Sequence, residues 1–228
     1  MKRYALISGV AYLLIFATGF YANFTVLESL VDWDNMANTT QNFVQFHSNL
    51  GLGLMAFLTM LFFDVVLVFT LFPLTQSAHR KLTYVASSLR MLHAIGFAIG
   101  LFGLYKIYRT TTNVKYQGIE GLEWTIQQAL HHFETVWTIA LVLFGIHLFL
   151  LGYLSIRYSA FPKLIGLFLV VAASGYVVES GAKLFLPSYF DYRHLFEYIV
   201  IFTGVLGEFT LTFWLLVKGF LGFKRKEA

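Results

Sequence analysis

Residues Trp124 to Arg157 read WTIQQALHHFETVWTIALVLFGIHLFLLGYLSIR. A helix crosses a hydrocarbon core of about 30 Å with about 20 residues, and this run is longer than that. It nevertheless carries His131, His132, Glu134 and His147. An apolar stretch of this length places the chain in a membrane. The ionisable residues place polar chemistry there as well, because a charge inside a span costs at least about 2.5–3.5 kcal/mol unless it faces a partner or a cavity. The rest of the chain repeats both features.

The composition agrees with that reading. Of 228 residues, 58% are hydrophobic and 12% charged, which lies outside the soluble globular class. Six apolar runs are long enough to span, at about 4–27, 44–72, 81–108, 125–156, 162–184 and 195–221. They predict an all-α, polytopic transmembrane bundle of six helices, forming a single domain over residues 1–228. Pro73, Pro162 and Pro187 fall at or beyond the ends of these runs, where helix ends tolerate proline. The start Met1-Lys2-Arg3 resembles a signal peptide. The apolar run then continues to about Val26 without a small-x-small site, so it reads as the first span. Gly96, Gly100 and Gly103 predict a close approach of the third span to a neighbour within the bundle. There is no cysteine, which excludes disulfides, thiolate metal sites and cysteine nucleophiles.

The net charge of +4 reports topology rather than a nucleic-acid partner. Lys2, Arg3, Arg80, Lys81, Arg157, Lys163, Lys218, Lys224, Arg225 and Lys226 fall at alternating span ends. That bias predicts both termini in the cytoplasm, with loops 28–43, 109–124 and 185–194 outside. The outer loops carry Glu28, Asp32, Asp34, Glu120, Glu123 and Asp191, against only Glu227 on the cytoplasmic side. Trp33, Tyr116, Trp124, Tyr189, Phe190 and Tyr192 read as an interfacial aromatic belt.

Counting about 1.5 Å per residue from the cytoplasmic ends sorts the ionisable residues into two layers. An inner polar site gathers Asp64, Arg90, His93, His147 and Glu208 from four helices. An outer group contains His47, His131, His132, Glu134, Glu179, Lys183, His194 and Glu197. At about 100° per residue, His132 rather than His131 turns toward the side of His147. By the same count His194, Glu197 and Glu208 share a face. For the inner layer, an Asp64–Arg90 pair pinning two helices is the purely structural reading. Five ionisable groups exceed what one bridge requires, which favours a functional site. In the outer layer, His47, His132 and Glu179 are compatible with a divalent metal such as zinc or iron. No local ligand motif such as H-E-x-x-H supports that reading.

These residues lie in motifs that resemble a bacterial membrane family known as domain of unknown function 4386, and the resemblance covers nearly the whole chain. It is carried by Gly9-Val10-Ala11-Tyr12-Leu13-Leu14, Phe63-Asp64-Val65-Val66-Leu67, Leu89-Arg90, the run Phe144-Gly145-Ile146-His147 through Leu154, Phe161-Pro162-Lys163-Leu164-Ile165-Gly166, Gly207-Glu208 and Trp214 through Gly219. The resemblance implies an uncharacterised multi-span protein of the bacterial inner membrane and supplies no reaction. It places Asp64, Arg90, His147 and Glu208 inside family-like motifs, and leaves His47 and His131 outside them.

Three functions compete at this stage. The first is binding or translocation of a proton, ion or small polar solute, in lipid, at the inner site. Against it, the six spans lack the Pro- or Gly-broken helices usual at transporter sites. The second is a haem- or metal-dependent membrane enzyme, with His93 and His147, or His47 and His132, as facing axial pairs. No G-x-S-x-G or other nucleophile motif is present. The third is a structural or partner subunit of a membrane complex.

Overall fold

In lipid, a backbone satisfies its own polar groups by forming helices or closed barrels. The computed structural model, which describes residues 1–112 and 121–223, takes the first solution. Six helices are long and apolar enough to cross a membrane: α1 (Lys2–Leu30), α3 (His47–Thr75), α4 (Arg80–Thr112), α5 (Leu122–Tyr158), α6 (Lys163–Phe185) and α7 (Tyr189–Leu221). A seventh, α2 (Met36–Gln45), is short, and no strand occurs among the described residues. The polytopic all-α architecture expected from the sequence is therefore the one observed. Tyr116, Glu120, Lys224, Arg225, Lys226 and Glu227 lie outside the described residues.

The helix α2 occupies what the hydropathy pattern left as an outer loop. Its sequence is mostly Asn, Thr and Gln, and only Thr39 and Phe43, one turn apart, are buried. The turn before it is built by side chains. Asp32 accepts the backbone N–H groups of Asp34 (3.1 Å) and Asn35 (3.2 Å) and the Asn38 amide (2.9 Å). Those donors, Asn38 foremost, hold the Asp32 carboxyl below its ordinary range. Asn35 caps the helix by accepting the Asn38 N–H at 3.0 Å.

Two spans depart from regular α geometry. Tyr21–Leu27 in α1 and Val205–Phe209 in α7 are π-helical. Such segments are rare and concentrate at functional sites. The helix α3 continues through Pro73 to Thr75. Proline removes one amide donor there, two residues from the helix end.

Contacts gather the chain into two compact units. One comprises Leu14–Phe62 and Ile95–Trp137. Its core is aromatic: Phe57 meets Phe97 edge-on at 5.8 Å, and Phe97 packs on Trp137 at 4.4 Å. Here α4 and α5 approach closely at Gly103, where an added Cβ would collide with the Ala129 carbonyl oxygen and lie 3.1 Å from the Phe133 nitrogen. The other unit comprises Met1–Leu13, Phe63–Ala94 and the chain from Thr138 onward. It contains the buried ionisable residues described below. Outside both cores, rings such as Phe62, Phe69, Phe102, Phe202 and Phe213 are exposed, as expected of helix faces that meet lipid rather than water.

Gly103→Leu is expected to destabilise the protein by about 1–3 kcal/mol through overpacking against backbone. Gly181→Ala, where nothing lies within 4 Å of an added Cβ, is expected to be neutral or slightly stabilising. Thermal unfolding of both variants in detergent, compared with wild type, checks the pair of expectations.

Candidate functional site

The centre of the second unit is Arg90, on α4, with 1% of its surface exposed. A guanidinium cannot shed its charge, so in an apolar interior its donors must all find acceptors. Nη2 pairs with Asp64 Oδ1 of α3 at 2.5 Å, and Nε donates to the Asp64 carbonyl at 3.4 Å. Nη1 donates to the Tyr12 hydroxyl of α1 at 3.1 Å and meets His147 Nε2 of α5 at 3.2 Å. The cation also lies 5.2 Å from the Tyr12 ring centroid and 5.3 Å from that of Phe144, within range of a cation–π attraction.

The two histidines are oriented by backbone carbonyls, which only accept. His147 Nδ1 donates to the Ala86 carbonyl at 2.8 Å, so its Nε2 takes the Arg90 donor and the ring is complete as a neutral imidazole. His93 follows Arg90 by three residues, on the same face of α4. Its Nδ1 donates to the Ala140 carbonyl at 3.0 Å, and its ring packs on Phe144 at 4.9 Å. The remaining nitrogen, Nε2, lies 3.2 Å from Asp64 Oδ2. With His93 neutral and Asp64 ionised, that contact sets a lone pair against a lone pair, and Oδ2 accepts no hydrogen bond. One proton between them would complete it.

Glu208 reaches the same region from α7. It sits in the π-helical segment, 5% exposed, with Oε1 accepting the Tyr176 hydroxyl of α6 at 2.8 Å. Gly207 beside it lets α7 close on α6: an added Cβ would stand 2.7 Å from the Phe168 carbonyl. The five inner residues expected from depth counting are all buried, in one compact unit. Asp64, Arg90, His93 and His147 form one bonded network, and Glu208 is held in that unit by Tyr176.

Sequence reading missed Tyr12, Tyr176 and Phe144 as members. Tyr12 and Tyr176 supply the hydroxyls that bond Arg90 and Glu208. The only signal for them was a phenol within an apolar span. The shared face assigned to His194, Glu197 and Glu208 is corrected. His194 is exposed and pairs with Glu197, which also holds Arg193 at 2.9 Å, whereas Glu208 is buried. The π segment adds residues per turn, so a 100° count does not carry through it.

The outer expectations are corrected too. His132 is exposed like His131; its Nε2 donates to the Ile99 carbonyl at 3.2 Å, and Leu130 and Phe133 fill the core instead. His47 is bonded to Thr111 and Thr112. Glu179 accepts the Tyr189 hydroxyl at 3.0 Å and the Ser180 hydroxyl at 3.4 Å. Among the described residues, no three His, Asp or Glu side chains are grouped so as to hold a metal ion, and His47, His132 and Glu179 do not make such a set. Nor do His93 and His147 offer an axial pair to haem, because each of their ring nitrogens faces a protein partner.

The model of the family described as domain of unknown function DUF4386 matches residues 7–219. The chain belongs to that family. The match contains the whole DUF4386 inner network, from Tyr12 to Glu208. A relative in the archaeon Archaeoglobus fulgidus, named an uncharacterized protein, is 26% identical over 161 residues, which is 68% of this chain and 76% of the relative. No solved structure matches this DUF4386 chain.

Removing one partner of a buried ion pair strands the other charge, at a cost of about 3–5 kcal/mol, whereas replacing both with apolar groups is far cheaper. Arg90→Met and Asp64→Leu are each expected to cost that amount, and the double variant clearly less than their sum. Unfolding in detergent, analysed as a double-mutant cycle, measures the coupling.

Proposed function

We propose that Asp64, Arg90, His93, His147 and Glu208 form a proton-binding centre, and that this protein carries protons across the cytoplasmic membrane in which it sits. The observation that carries the reading is the His93–Asp64 contact. His93 Nδ1 already donates to the Ala140 carbonyl, so the 3.2 Å approach of Nε2 to Asp64 Oδ2 becomes a hydrogen bond only when one more proton is present. A proton taken up at the His93–Asp64 contact satisfies Oδ2, which otherwise accepts no hydrogen bond. Tyr12, Tyr176 and His147 are the other titratable groups facing the centre.

A purely structural clamp would need only Arg90 and Asp64. The proton reading also accounts for His93 and for a buried Glu208 bonded to a phenol. The π segment that presents Glu208 is an interruption of the kind that marks membrane-embedded binding sites. The basic residues at alternating helix ends, Lys2, Arg80, Arg157, Lys163 and Lys218 among them, orient the bundle with both termini on the cytoplasmic side.

The test is proton movement into liposomes reconstituted with the purified protein, followed with a trapped pH-sensitive dye under an imposed potential. Wild type is expected to conduct above protein-free liposomes. Glu208→Gln and Asp64→Asn, the second of which also strands the Arg90 charge, are expected to fall to that background, and thermal unfolding of each variant in detergent separates loss of flux from loss of fold. Equal flux through wild type and both variants would sink the proposal.

A further inference from the structure

His47 opens α3 and lies against the last turn of α4, remote in function from the Arg90 centre. Its ring stacks on Tyr108 with centroids 4.4 Å apart and planes 18° from parallel. Nδ1 is 3.1 Å from the Thr111 hydroxyl, and Nε2 is 3.2 Å from the Thr112 hydroxyl. Both hydroxyls have backbone carbonyls in reach for their single hydrogen, Thr111 also that of Tyr108 at 3.2 Å. Thr111 donates to the Ile107 carbonyl at 2.9 Å, and Thr112 donates to the Tyr108 carbonyl at 2.7 Å. Each hydroxyl is therefore left as an acceptor toward the ring. A neutral imidazole has one donor and one lone pair, so it satisfies only one of the two. An imidazolium satisfies both.

The Tyr108 face adds an attraction for a cation at that stacking distance. The helix dipoles do not decide the matter. The C-terminal turn of α4 favours a positive charge, the N-terminus of α3 disfavours it, and the two effects oppose one another. No carboxylate among the described residues pairs with His47. The helix α2 and the part of α3 before Asp64 carry no charged side chain, and Lys106 and Arg109 on α4 are exposed. Among the described residues, the hydroxyls and the ring are thus the groups that bond or stack on His47.

We infer that His47 is a second proton-binding site, a latch that ties the start of α3 to the end of α4 through Thr111, Thr112 and Tyr108 when its ring is doubly protonated. Losing one proton turns one ring nitrogen into an acceptor. The threonine facing it then either abandons its backbone carbonyl or loses its bond to the ring. The joint loosens as pH rises and tightens as it falls. This inference stands apart from proton carriage at Arg90.

The experiment uses full-length protein labelled with 15N-histidine in lipid nanodiscs, followed from pH about 8 to about 5, the interval over which histidine ordinarily changes charge. The His47 ring signals are assigned by their loss in His47→Gln. At the acid end both His47 nitrogens are expected in the donor form. Over the same interval, amide hydrogen exchange at Thr111 and Thr112, corrected for the intrinsic effect of pH, is expected to slow several-fold. In Thr111→Val/Thr112→Val that protection is expected to vanish. Thr112→Val alone, at an exposed position, is the milder variant and is expected to lose part of it. A His47 ring that keeps a single lone pair throughout, or a pH-dependent protection that survives undiminished in both threonine variants, overturns the inference.

Discussion

The burial of one permanent cation organises the half of the molecule that contains the candidate site. Arg90 cannot be neutralised and has almost no contact with the outside, so each neighbour is explained by what a guanidinium in apolar surroundings requires. Asp64 supplies the opposite charge, Tyr12 and His147 accept the remaining donors, and the Tyr12 and Phe144 rings cover the cation. These side chains come from α1, α3 and α5. Satisfying Arg90 therefore fixes the rotation of three helices against a fourth, and packing supplies the rest. The pair alone is weak evidence of a stabilising device, because desolvating two charges offsets much of their attraction. Its value lies in specifying one arrangement.

The groups beyond the pair give the centre a chemical character. His147 is complete as a neutral ring. His93 is not, since it meets a backbone acceptor on one side and a carboxylate on the other. An unfinished hydrogen bond in a low-dielectric interior is costly, and the proton is the smallest ligand able to finish it. The same accounting of donors and acceptors applied to His47 also points to an added proton, there between threonine hydroxyls and beside a phenol ring rather than at a carboxylate.

Much of this was legible in the sequence. The six spans follow from runs of apolar residues, and depth counting gathered Asp64, Arg90, His93, His147 and Glu208 because residues at equal height on neighbouring helices can meet. Periodicity did less well where the geometry is not periodic. The π turn at Val205–Phe209 separates the exposure of His194 and Glu197 from that of Glu208, and no propensity marks it. Tyr12 and Tyr176 were overlooked because phenols are common in membrane helices for reasons other than their hydroxyls. The short α2 escaped because its ten residues are mostly polar, with only Thr39 and Phe43 buried, so it does not register as an apolar span. The double histidine was conspicuous but exposed, since its neighbours Leu130 and Phe133 hold the buried positions.

The position of the Asp64–Arg90 pair also bears on how the chain enters its membrane. The span α4 is the least apolar of the six, while α3 is the most apolar. Asp64 lies eleven residues before Thr75 and Arg90 ten after Arg80, on consecutive helices joined by a short turn. The two charges are therefore level in the hairpin as soon as it forms. A hairpin that closes its own ion pair can partition as one unit, with the strongly apolar helix escorting the weaker one. The contact that organises the site is thus also its shortest in sequence, one that the α3–α4 hairpin can close without any other helix.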